Sequence, residues 1–112
     1  MLPLSFLTDY GYADEFVGVC HGVMQRIAPG AVVIDITHEV PRHEVRIGAL
    51  ALLSAIPYMP RGVHIAVVDP GVGGARRPVA LRAGAGNLFV GPDNGLLWPA
   101  AQACGGVAAA VE

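Results

Sequence analysis

Three short runs of β-branched and aliphatic residues, LSFLT (4–8), VVIDIT (32–37) and VHIAVV (63–68), are separated by segments of helical period. This alternation constrains the fold more than any other feature. Strands separated by helices form right-handed βαβ units around a mostly parallel sheet, so the expectation is an α/β, Rossmann-like fold with flanking helices. In the first helical segment Phe16, Cys20, Val23, Met24 and Ile27 fall at spacings of four, three, one and three, which predicts one apolar helix face. Asp14 is placed to cap its start, and Pro29-Gly30 to end it. Val45, Ala49, Leu52, Leu53 and Ile56 predict a second helix ending near Pro57. PVALR and NLFVG read as two further strands, with a hairpin across AGAG as one arrangement. LLWPAAQAC reads as a helix that Pro99 starts or kinks, and VAAAV as the beginning of another strand. A chain ending inside a strand reads as one domain, 1–112, incomplete at its C-terminal end.

The chain is 54% hydrophobic and 14% charged with a net charge of −2, which predicts a filled core and excludes disorder. No basic patch or block of like charge marks a nucleic-acid partner. All seven cations are arginine. The lack of lysine excludes a Walker-type phosphate loop, a Schiff-base lysine and a lysine general base. Cys20 and Cys104 lie outside any C-x-x-C pair and read as buried thiols. The opening MLPLSFLTDYG has no basic n-region, so it does not read as a secretory signal. The uncharged run 47–60 is too short for a bilayer span, and 94–111 carries Asn, Pro, Gln and Gly-Gly. A cytoplasmic protein with no membrane partner is expected.

Ligands of open α/β sheets bind beyond the carboxyl ends of the strands. Asp9, Asp69 and Asp93 each follow an apolar strand by a residue or two, so three parts of the chain deliver a carboxylate to one sheet edge. Two readings stay open: each aspartate caps a turn, or together they line a site. In VVDPGVGGARR (67–77) the glycines either form a tight connection or let backbone approach a ligand while Arg76 or Arg77 folds back on Asp69. A neighbouring guanidinium keeps a carboxylate ionised, and an ionised carboxylate can hold and polarise water. GVGG lacks the third glycine of a dinucleotide fingerprint. The four histidines show no metal-ligand spacing. His21 and His64 read as structural, whereas His38 and His43 flank a polar connection where a ligand can reach them. A site for a metal ion is therefore not expected, although a metal-dependent hydrolase using the aspartates is a third reading. Tyr10 and Tyr12 either pack on an aromatic ligand or cover the turn.

Four blocks in this order, LTDYGYADEFVG, DITHEVPRHEVRIGA, VVDPGVGGARRPVAL and FVGPDNGLL, resemble the N-terminal domain of the S-adenosyl-L-methionine hydrolases. These enzymes are also called S-adenosyl-L-methionine hydroxide adenosyltransferases and are relatives of fluorinating and chlorinating enzymes. The resemblance covers nearly the whole chain and implies hydrolysis of S-adenosyl-L-methionine to adenosine and L-methionine, with water attacking ribose C5′. It implies a small-molecule substrate, no added cofactor and a homotrimer of the full-length protein. By position Asp9 would hold the ribose hydroxyls. Asp69 and Arg76 match two members of an Asp-Arg-His set that activates water, with Arg77 the second choice. His43 falls where the halogenating relatives place a tryptophan near the substrate. Asp93 and Asn94 match a motif expected at the substrate, with no defined role. The halogenating branch carries tyrosine at the position of Asp69, so a carboxylate there favours water over halide. The resemblance places the third member of the set, a histidine, beyond residue 112, together with a C-terminal β-barrel domain and part of the adenine site. A catalytically silent module for adenosine-like ligands, or an assembly domain, is the alternative expectation for these 112 residues.

Overall fold

The computed structural model describes residues 1–71, 74 and 77–112. Along the chain run β1 (Leu4–Thr8), α1 (Phe16–Ile27), β2 (Val33–Thr37), α2 (Val45–Ala55), a 3-10 turn (Ile56–Tyr58), β3 (Val63–Val67), β4 (Pro78–Ala83), β5 (Leu88–Pro92), α3 (Trp98–Ala103) and β6 (Val107–Val111). The sheet order is β2-β1-β3-β5-β4-β6. β1 pairs in parallel with β2 and β3, and β3 with β5, whereas β4 is antiparallel to both of its neighbours. The mostly parallel α/β sheet is therefore as expected, and β4–β5 is a hairpin. VAAAV forms an edge strand.

Right-handed crossovers leaving β1 towards β2, and returning past β1 to β3, place α1 and α2 on opposite faces of the sheet. Strand alternation then divides the side chains. Leu7, Ala66, Val68 and Phe89 join Ala49, Leu52 and Ile56 from α2 and Leu96, Leu97, Ala100 and Ala101 from the α3 region in one buried cluster. Leu7, Leu52, Phe89 and Leu96 are fully buried, and burial of each such side chain contributes about 1.5–3 kcal/mol. The α2 periodicity is as read, because Ala49, Leu52 and Ile56 are buried and Val45 packs against them.

The α1 face differs from expectation. Val17 is the buried residue of α1, while Phe16, Val23 and Ile27 are 48%, 48% and 79% exposed. The inward side keeps Cys20 and Met24 of the predicted stripe but adds Val17 and His21 in place of Phe16, Val23 and Ile27, a rotation of less than the ~100° of one residue. The physical reason lies on β2: Asp35 accepts hydrogen bonds from His21, which draws that side of the helix towards the sheet. Asp14 does supply the start signal, accepting from the Phe16 amide at 3.0 Å.

His64 is confirmed as structural. It is 2% exposed on β3, with the Ser5 hydroxyl at 2.6 Å from Nδ1 and Asn87 Oδ1 at 2.7 Å from Nε2. Nε2–H donates to Asn87 and the Ser5 hydroxyl donates to Nδ1, so a neutral ring satisfies both ends and ties β1 and β3 to the turn before β5. Burial lowers its pKa and outweighs the Asn87 hydrogen bond, which acts in the opposite sense.

Candidate functional site

The chain leaves β1 for β2 on one side and reaches β3 on the other, so the crevice of this sheet opens between the carboxyl ends of β1 and β3. A cleft of about 420 Å³ lies there, lined by Asp9, Tyr10, Asp14, Phe16, Arg42, His43, Val67, Asp69 and Pro70. A smaller hollow of about 270 Å³ shares Val67 and Asp69 and runs on to Val90, Gly91 and Pro92 at the end of β5. Of the three carboxylates that the strand ends predict, Asp9 and Asp69 thus reach one cavity.

Asp9 is aimed by its neighbours. The His43 amide donates to Asp9 Oδ2 at 2.8 Å, and His43 holds a left-handed backbone, φ 65°. That conformation is uncommon for a residue with a side chain; here it directs the amide at the carboxylate. The loop carrying Asp9 is fixed from behind: the Tyr10 amide donates to Thr8 Oγ1 at 3.1 Å, and the Gly11 amide to the His38 carbonyl at 2.7 Å. Gly11 sits at φ 71°, a turn that glycine makes without steric cost. Burial, then the nearby Cys20, Asp9 and Asp69, push the Tyr10 hydroxyl up, so it stays protonated and available as a donor. At β5, Gly91 passes so close to β3 that a β-carbon would lie 2.3 Å from the Ala66 carbonyl oxygen.

Not every expected residue comes to this cleft. His43 lines it. His38 does not line it: the ring is fully buried, with Thr8 Oγ1 2.6 Å from Nδ1 and Asp35 Oδ1 2.8 Å from Nε2. Asp93 and Asn94 lie off the cleft. Asp93 is exposed and its amide donates to the Arg77 carbonyl. The Asn94 side chain donates to the Val68 carbonyl at 2.9 Å and accepts from the Leu96 amide, joining the end of β3 to the turn before α3. Arg76 lies outside the described residues. Arg77 pairs with Glu112, both exposed, and lines a separate hollow with Asp93. The two cysteines are free and partly buried, and burial raises both thiols. That disfavours a thiolate nucleophile.

Asp14 and Arg42 line the cleft without a sequence signal beyond a cap and a polar connection. The four histidines show no metal-ligand spacing in the sequence, yet ligand atoms of His21, Asp35 and His38 all lie within 4.8 Å of one another. The available sequence signal was Asp35-x-x-His38 at a strand end. Burial acts to raise the Asp35 carboxyl, but hydrogen bonds from His38 and His21 and their charge interactions leave it lowered. Among the described residues no helix is long and apolar enough to cross a membrane.

A curated relative from Salinispora arenicola named (R)-S-adenosyl-L-methionine hydrolase is 64% identical over 109 residues, covering 97% of this chain and 41% of the relative. One of the same name from Thermus thermophilus is 50% identical over 97 residues, covering 86% of this chain and 37% of the relative. A fluorinase from an Actinoplanes species is 30% identical over 117 residues, covering 84% and 39%. The chain therefore spans about two-fifths of the length of the curated relatives it matches. A crystal structure of a conserved hypothetical protein from Thermus thermophilus superposes with a TM-score of 0.88 at 43% identity, covering 98% of this chain and 46% of that one. An uncharacterized conserved protein from Thermotoga maritima superposes with a TM-score of 0.90 at 41% identity, covering 96% of this chain and 41% of that one. The model of the SAM hydroxide adenosyltransferase N-terminal domain matches residues 4–112, and the chain belongs to that family.

Proposed function

We propose that this chain is the N-terminal, substrate-binding and catalytic domain of an S-adenosyl-L-methionine hydrolase. The observation that carries the reading is the arrival of Asp9 and Asp69, from adjacent parallel strands, at one cleft. The names of the relatives support it. Asp9, oriented by the His43 amide, accepts from the ribose hydroxyls. His43 packs beside the ligand. Asp69 holds and polarises a water molecule, a role it shares with Arg76 as the family resemblance implies. Asp93 and Asn94 serve the substrate side of the sheet indirectly, Asn94 through its bond to the Val68 carbonyl beside Asp69.

The chemistry asks little of the protein. The water oxygen forms a bond to C5′ as the C5′–S bond breaks, its electron pair staying on sulfur. The sulfonium becomes the neutral thioether of L-methionine, and the water proton leaves through Asp69 to solvent. A leaving group that departs neutral needs no acid. The protein's contribution is alignment of water with C5′ and exclusion of competing solvent. A carboxylate at position 69 repels an attacking halide, which favours water over the reaction named for the fluorinase relatives. The reading carries with it no added cofactor, a cytoplasmic location and, for a chain of the relatives' full length, a homotrimer, as the family resemblance implies.

The test is chromatography of S-adenosyl-L-methionine incubated with the 112-residue chain and with a chimera joining residues 1–112 to the remainder of the Salinispora arenicola relative. Adenosine and L-methionine in equal amounts from the chimera support the reading. Adenosine release unchanged by Asp69→Ala sinks the role of Asp69. Adenosine binding without turnover in both forms replaces the hydrolase by a binding module.

A further inference from the structure

Behind the loop that carries Asp9 lies a second arrangement which the proposed hydrolysis does not use. His21 from α1, Asp35 from β2 and His38 just beyond β2 converge, with one ligand atom from each within 4.8 Å of the others. Asp35 Oδ1 is 2.9 Å from His21 Nε2 and 2.8 Å from His38 Nε2. We propose that these three side chains form a binding site for a divalent transition-metal ion of the zinc class, bracing α1, β2 and the Asp9 loop.

Four features carry this. The donor set is two imidazoles and one carboxylate, which suits zinc, cobalt or nickel and is poor for the all-oxygen preference of magnesium and calcium. The atoms already stand close to ligand spacing: zinc–nitrogen and zinc–oxygen bonds of about 2.0–2.2 Å in a tetrahedron set ligand atoms about 3.3 Å apart. The present 2.8–3.0 Å carboxylate–imidazole separations need open by only a few tenths of an ångström as the ion takes the place of the shared protons, while the two imidazole nitrogens, within 4.8 Å of each other, close towards it.

The deepest ligand is also oriented. His38 is fully buried, and its Nδ1 meets Thr8 Oγ1 at 2.6 Å. With Nε2 given to a metal, Nδ1 carries the proton and donates to the Thr8 oxygen, the outer hydrogen bond that fixes a ligating histidine. Finally there is a way in. The side chains of His21 and Asp35 are each 32% exposed, so an ion reaches the site from solvent and keeps one position for water.

The consequence reaches the cleft through covalent neighbours. Thr8 accepts from the Tyr10 amide, and the His38 carbonyl from the Gly11 amide. The ligand His38 therefore holds both flanks of Asp9, and an ion would stiffen that loop without touching the substrate. This inference does not rest on the hydrolase reading.

The experiment is calorimetric titration of the untagged 112-residue chain with zinc chloride, alongside thermal unfolding with and without zinc. One equivalent bound, a raised Tm, and at least about tenfold weaker binding in His21→Gln are expected. Glutamine favours helix and keeps a side-chain N–H that can donate to Asp35, and the side chain at position 21 is 32% exposed, so this variant should fold. Asp35→Asn, which retains a hydrogen-bond acceptor, should lose the same affinity. Absence of zinc binding by the folded wild-type chain overturns the proposal. So does zinc binding that His21→Gln leaves unchanged, since the ion would then sit on the thiols or on other histidines.

Discussion

His43 offers a test of how the cleft is held in shape, because its backbone should reverse an ordinary rule. At most positions glycine is less stable than alanine by roughly 0.5–1 kcal/mol, owing to the entropy it loses on folding. His43 stands at φ 65°, where a β-carbon costs roughly 1–2 kcal/mol. His43→Ala keeps that strain and His43→Gly removes it. The glycine variant should therefore be more stable than the alanine variant by about 0.5–1 kcal/mol, the strain relieved less the entropy added. Urea unfolding of small proteins has slopes of about 1–3 kcal/mol per molar, so the midpoint of His43→Gly should lie roughly 0.5 M above that of His43→Ala. Side-chain loss is nearly common to both, which isolates the backbone. Equal midpoints, or alanine above glycine, would refute the left-handed residue, and with it the amide that aims Asp9 at 2.8 Å.

Other outcomes follow from single contacts. His64 is depressed by burial below its ordinary value of 6.5. The unfolded chain therefore takes up the proton first, and the stability present above about pH 6.5 is lost as pH falls through the folded pKa. Urea midpoints from pH 7.5 to 5 should decline, and His64→Gln should flatten that decline; an unchanged slope would exclude His64 as the source. Gly91→Ala sets a β-carbon 2.3 Å from the Ala66 carbonyl oxygen. Backbone must move, at a cost of about 1–3 kcal/mol, so Tm should fall clearly, and a wild-type Tm would contradict the close approach. Asp9→Asn keeps an oxygen for the His43 amide but loses the charge and one acceptor for the ribose. Charge-assisted bonds contribute about 1.5–3 kcal/mol, so kcat/KM of the chimera should drop roughly ten- to a hundredfold, and the penalty should shrink on a substrate lacking the ribose hydroxyls.

Much of the fold was legible because two simple periods hold. VHIAVV and LSFLT are buried strands, and the α2 spacing Ala49, Leu52, Ile56 marks the face that enters the core. The strand-end aspartates Asp9 and Asp69 followed from topology, since carboxyl ends of parallel strands share one edge. The α1 face was legible only in part. Cys20 and Met24 of its predicted stripe are partly buried, but Phe16, Val23 and Ile27 are exposed, because the helix is seated by Val17 and by His21 reaching Asp35. Periodicity counts apolar residues and is blind to a histidine turned inward by a partner 14 positions away. His38 misled for a related reason: a polar connection suggests access, but Thr8 and Asp35 satisfy the ring inside the protein. Asp93 and Asn94 share the sheet edge of Asp9 and Asp69 yet lie off the cleft, because Asn94 spends its side chain on the Val68 carbonyl and the Leu96 amide.

The most direct test of the central claim is to run the chimera's reaction with S-adenosyl-L-methionine in water enriched in oxygen-18 and to locate the label by mass spectrometry of the adenosine. Attack of water on C5′ predicts one heavy oxygen per adenosine, in the 5′-hydroxyl. Adenosine without the label, or no adenosine from a folded chimera, would contradict it.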